Sequence, residues 1–170
     1  MNPFGIVRAA VVVMYLVAQV LIFKNAVLFH TAFCFVYIGY LLLLPVESNP
    51  LVMMLAGFGL GLVMDMFYDS LGLHAMAGVL LMYLRTFWLS VITPQGGYDA
   101  NASPDLTNNG TQWFLVYVAP LVFIHHAFLF FVEAGGVSFF WSTLSKTFFS
   151  TLYTAFVLVL VEFLFPGRRS

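Results

Sequence analysis

Apolar residues run along this chain in long blocks, separated by short clusters of charged residues, prolines and glycines. The blocks are Ile6–Phe23, Val27–Leu44, Leu51–Phe67, His74–Ile92, Trp113–Val132 and Phe140–Phe165. Lys24-Asn25 divides the first pair, Pro45-Val-Glu-Ser-Asn-Pro50 the second, and Asp69-Ser-Leu-Gly72 the third. Gly135-Gly136, just after Glu133, divides the last pair. An apolar helix needs about 20 residues to cross the hydrocarbon of a bilayer. The pattern therefore predicts an all-α fold, a single bundle of six transmembrane helices over residues 1–170, with short connections that make consecutive helices antiparallel neighbours.

One connection is different. Thr93–Gln112 holds prolines, glycines, asparagines and two aspartates but no Lys or Arg, and reads as a flexible polar loop. Asn101-Ala-Ser103 and Asn109-Gly-Thr111 match the glycosylation sequon, a pattern that polar loops also generate by chance. At the other end, Arg8 followed by an apolar stretch resembles a signal peptide. No small-x-small cleavage site follows Phe23, so this segment is expected to be an uncleaved first span.

Composition makes lipid the solvent. The chain is 62% hydrophobic and only 8% charged, with a mean hydropathy of +1.00. A soluble core of 170 residues has too little volume to hide that much apolar surface. A net charge of −1 gives no footprint for nucleic acid. A single cysteine, Cys34, excludes an intrachain disulfide and a cysteine metal site. Six crossings put both termini on one side, with Arg8, Arg168 and Arg169 there and Arg85 near the same face. Lys24 and Lys146 lie toward the other. The positive-inside rule then assigns the termini to the cytoplasm and the Asp65/Asp69/His74 seam to the outer face.

Charges inside a bilayer cost about 2.5–3.5 kcal/mol each at the centre, so each retained one needs a role. Asp65 and Asp69, one turn apart on a helical face, suit either a cation or proton site or a pair of caps at a helix turn. His74 lacks the further ligands that a metal would require. His125-His126 point about 100° apart, so at most one easily faces a shared site. By depth, the expected ion pairs are Arg85–Glu162 and Asp65–Lys146. Gly57 and Gly61 form G-x-x-x-G, which permits close helix approach; the spacing with Gly59 does not match a dinucleotide fingerprint. No hydrolase or cofactor motif accompanies Ser142, Ser145 or Ser150.

The stretch Gly59–Arg85, GLGLVMDMFYDSLGLHAMAGVLLMYLR, resembles the MreD family of bacterial rod-shape-determining membrane proteins. Gly61, Asp65, Gly72, His74 and Ala75 carry the likeness. Tyr83-Leu84-Arg85 and Thr93-Pro94-Gln95-Gly96-Gly97-Tyr98 are similar to its Bacteroidetes-type branch. Ser70-Leu71 stands where many members carry a proline in the turn. The resemblance implies a non-enzymatic, multi-pass protein of the bacterial inner membrane, without a cofactor, that associates with MreC. It also implies a role in linking the MreB cytoskeleton to peptidoglycan synthesis by RodA and its transpeptidase partner. A fold like the six-helix substrate-binding subunits of vitamin transporters is implied as well, but fold analogy does not transfer function. On this reading Gly57, Gly61, Asp65, Gly72, His74 and Arg85 are partner-binding or structural residues. A small-molecule or ion binder, with an outward pocket lined by Asp65, Asp69 and His74, is the alternative. An intramembrane enzyme built on His125 or His126 would need a further ligand or carboxylate at that depth.

Overall fold

The computed structural model describes residues 3–98 and 103–166, so Asn101, Arg168 and Arg169 lie outside the described residues. The fold is helical, and no β-strand occurs among the described residues. Helix α1 (Pro3–Ala18) ends in a wide turn, Gln19–Phe23; α2 (Tyr37–Leu42), α3 (Pro50–Tyr68), α4 (Leu73–Val91), α5 (Leu106–Asn109), α6 (Thr111–Glu133) and α7 (Phe140–Leu164) follow. Five segments are long and apolar enough to cross a membrane: Ile6–Phe23 and the helices α3, α4, α6 and α7. Their outer faces carry bare Leu, Phe and Val side chains, as a lipid solvent permits and water does not.

Helix α3 packs on α4, α4 on α6 and α6 on α7, while α1 leans on α2. At the α3–α4 seam the backbones nearly touch. A methyl group added at Gly57 would lie 2.6 Å from the Gly78 carbonyl oxygen, and one at Gly61 would strike the His74 carbonyl and Ala75. Gly59 faces open space. The G-x-x-x-G motif therefore serves close packing, and its partner is the next helix of the same chain.

The block Val27–Leu44 departs from expectation. Only Tyr37–Leu42 is helical, and the preceding residues are irregular. Phe29 and His30 adopt left-handed backbone angles (φ 52° and 55°), turning the chain at Leu28–Ala32. The segment beyond is the most buried part of the molecule: Cys34, Phe35, Val36, Tyr37, Ile38, Leu41 and Leu42 are each at most 3% exposed. Non-helical backbone is tolerable at membrane depth only where protein satisfies it. Here Ser150 Oγ accepts the Phe33 N–H (2.9 Å), Thr154 Oγ1 that of Phe35 (3.2 Å), and Gln19 Oε1 that of Tyr37 (3.3 Å). Gln19 Nε2 in turn donates to the Cys34 carbonyl (2.9 Å) and the Tyr68 hydroxyl (2.8 Å). The wide turn at the end of α1 holds this fully buried amide.

A second backbone repair sits in α6. Pro120 has no N–H for the Val116 carbonyl one turn earlier, and the Trp88 indole of α4 donates to that oxygen instead (3.1 Å). The polar connection after α4 is also more structured than its composition suggests. Tyr98 folds back to donate to the Leu89 carbonyl (2.9 Å) and packs edge-on against Trp113. The buried Asp105 caps α5, accepting the Asn108 N–H at 2.8 Å.

Candidate functional site

The seam between α3 and α4 is built around Asp65. Asp69 ends α3 in the left-handed conformation (φ 52°), which aspartate tolerates better than most residues, and Gly72 (φ 89°) turns the chain into α4. Gly72 meets that backbone demand but offers no side chain to cap the helix it precedes. Asp65, from the preceding helix, supplies the cap. Its Oδ1 accepts from the His74 N–H (2.9 Å) and the Ser70 hydroxyl (2.7 Å), and its Oδ2 from the Ala75 N–H (3.0 Å). A carboxylate at a helix N-terminus also meets the positive end of the helix dipole. Asp65 is thus occupied by three donors.

That occupation overturns the Asp65–Lys146 pair. Lys146 Nζ lies 2.9 Å from Glu133 Oε2, bridging the ends of α6 and α7, and sits over the Phe130 and Phe33 rings (4.1 and 4.7 Å to the centroids). The Arg85–Glu162 pair is not formed either. Arg85, only 2% exposed, donates from Nε to the Tyr117 hydroxyl (2.8 Å) and from Nη2 to the carbonyls of Leu44 and Pro45. The Tyr117 hydroxyl in turn donates a hydrogen bond to the Leu42 carbonyl (2.7 Å). The end of α2 leaves these carbonyls without helical partners, and a guanidinium with its phenol relay satisfies them as a carboxylate partner never could.

His74 follows Gly72 into the interior and is 2% exposed, beside Phe35 and Tyr68 (ring centroids 5.2 and 4.9 Å away). Neither of its ring nitrogens has a hydrogen-bond partner among the described residues. It lines a cavity of about 70 Å³ with Ser70, Glu133 and Lys146 near the same end of the bundle. Asp65 and Asp69 do not line it, and its volume is well below the roughly 300–1,000 Å³ of pockets that enclose drug-sized ligands. The outward polar pocket expected for a small-molecule binder thus has only His74 of its three proposed residues.

Both histidines of α6 are fully buried, on different partners. His125 Nε2 meets the Tyr37 hydroxyl (3.1 Å). His126 Nδ1 lies 2.7 Å from the Val122 carbonyl, which can only accept, so Nδ1 carries the proton and Nε2 accepts from Thr154 (3.2 Å). Among the described residues, no three His, Cys, Asp or Glu side chains come together closely enough to hold a metal ion.

The site residues therefore fall into separate clusters. Gly57, Gly61, Asp65, Gly72 and His74 share the α3–α4 hairpin, and Arg85 belongs to a distinct knot around the end of α2. Sequence reasoning passed over Gln19, Tyr117 and Thr154, which tie the bundle together. Gln19 is the one polar residue in VVVMYLVAQVLIF. Thr143, Thr147, Ser150, Thr151 and Thr154 recur at helical spacing on one face of α7, and all are buried. Those were the available signals. Compared with known proteins, the chain matches no family model, no curated protein and no solved structure.

Proposed function

We propose that this protein is a non-enzymatic membrane scaffold of the bacterial cell-elongation machinery, of the MreD kind, that binds the transmembrane helix of MreC. Through MreC it helps couple the MreB cytoskeleton to peptidoglycan synthesis by RodA and its transpeptidase. The observation that carries this reading is where the polar groups are spent. Asp65, Arg85, Gln19, Ser150 and Thr154 all bond to the chain's own backbone, while the lipid-facing side offers apolar clefts. The cleft between α1 and α3, about 360 Å³, is lined by Val13, Leu16, Val17, Val20, Leu21, Val63 and Phe67 and has no polar wall. Such a surface suits another helix, whose association in lipid rests on packing.

The segment from Lys24 to Leu44 is read as a sixth crossing. Lys24 donates to the Phe67 carbonyl at the end of α3, whereas Leu44 meets Arg85, twelve residues into α4 and so about 18 Å along it. The intervening chain therefore covers about 18 Å of the length of α4, which supports this reading. With six crossings both termini share a face, and Arg8, Arg168 and Arg169 assign that face to the cytoplasm of a bacterial inner membrane.

Co-purification tests the proposal. MreC is expected to copurify with the wild type and to be lost with Val17→Trp or Leu21→Trp, both exposed in the cleft, but not with Phe156→Trp on the lipid face of α7. Equal recovery from all four proteins contradicts the cleft, and no recovery from any contradicts the scaffold.

A further inference from the structure

Glu162 is a carboxylate inside a membrane-spanning helix, 6% exposed, and it makes no ion pair among the described residues. Among those residues its one side-chain hydrogen bond is weak: Oε2 accepts the Leu106 N–H at 3.4 Å. Intramembrane carboxylates are expensive and normally face a partner. Glu162 lines a cavity of about 370 Å³ between the start of α1, the end of α2 and the end of α7. Tyr15 and Tyr40 form an aromatic wall there, their rings 6.3 Å apart, and Arg8 stands at the rim. Met14 and Phe165, both largely exposed, mark the side that opens to lipid.

We propose that this cavity binds an organic primary ammonium group, supplied by the headgroup of a zwitterionic phospholipid of the phosphatidylethanolamine type. Each part of the headgroup finds its complement. A primary ammonium donates hydrogen bonds to the Glu162 oxygen that has no partner among the described residues and lies beside the tyrosine rings, whose faces attract cations. The phosphate reaches the exposed Arg8, a planar donor suited to phosphate oxygens. The acyl chains leave past Met14 and Phe165 along the apolar flank of α1 and α7. A headgroup with no ammonium brings only negative charge to Glu162 and is rejected. This inference is independent of the scaffold reading.

The test is native mass spectrometry of the full-length protein in mild detergent with equimolar phosphatidylethanolamine and phosphatidylglycerol. The wild type is expected to retain phosphatidylethanolamine about tenfold better, the scale of one charge-assisted hydrogen bond. Glu162→Gln, which keeps an acceptor for the Leu106 N–H, and Met14→Trp, which fills the cavity without touching Glu162, should each abolish that preference. Free ethanolamine at millimolar concentration should leave the lipid bound; displacement by it would overturn the lipid source. Equal retention of the two lipids, or a preference that survives in both variants, would overturn the site itself.

Discussion

The carboxylate of Asp65 accepts the backbone N–H groups of both His74 and Ala75, so the cap of α4 is donated by α3. The capping residue of α4 is nine positions distant from the first amide it serves. Asp65→Ala leaves those two amides unpaired and should cost about 2 kcal/mol, read as a lower thermal midpoint in detergent. Asp65→Asn keeps one acceptor and should recover part of the loss. Ser70→Ala removes a single donor and should cost less than either.

The glycines of α3 separate by position. Gly61→Leu drives a side chain into the backbone of α4 and should prevent the hairpin from forming, seen as loss of monodisperse protein on size exclusion. Gly59→Ala meets nothing and replaces a poor helix former, so it should be neutral or stabilising by up to about 1 kcal/mol. Similar losses from both variants would contradict the α3–α4 contact.

Arg85 and Glu162 should behave as strangers. Arg85→Met strands the carbonyls at the end of α2 and should be strongly destabilising, with Tyr117→Phe a milder version of the same defect. Combined with Glu162→Gln, the effects should add within about 0.5 kcal/mol, as for residues without a shared partner. A larger coupling would restore the ion pair that depth alone suggests.

Histidines that look alike in sequence should respond differently. His74→Phe removes two unpartnered nitrogens beside a small cavity and should be neutral or stabilising in thermal unfolding. His125→Phe forfeits the Tyr37 hydroxyl contact and should cost about 1 kcal/mol.

Thr154→Val should leave the Phe35 N–H unpaired inside the bundle and cost about 1–3 kcal/mol. Thr151→Val loses only a bond to the Thr147 carbonyl of its own helix and should be nearly silent. Comparable losses would mean that the irregular segment does not depend on α7.

How much of this was readable beforehand varies with the kind of interaction. The long helices followed from apolar blocks and the turn at Asp69–Gly72 from its residues, because burial in lipid and turn chemistry are local properties. The close glycine contact was legible as a motif, but not which helix would fill it. The failures share one cause. Val27–Leu44 is apolar enough for a helix, and hydropathy does not distinguish a spanning helix from an irregular segment buried against other helices. What decides is the presence of Ser150, Thr154 and Gln19 on distant helices, ready to replace its lost hydrogen bonds. Lys146 and Arg85 were paired by depth, yet their partners were fixed by azimuth around each helix: Glu133 for one, a frayed helix end for the other.

The most direct measurement of the proposed scaffold role is cell shape on depletion of this protein in its native host, which that role expects to be rod-shaped. Loss of the protein should turn rods into spheres, with rescue by the wild type and not by the folded Val17→Trp variant. Cells that stay rod-shaped and elongate at the normal rate after depletion would contradict a role in elongation.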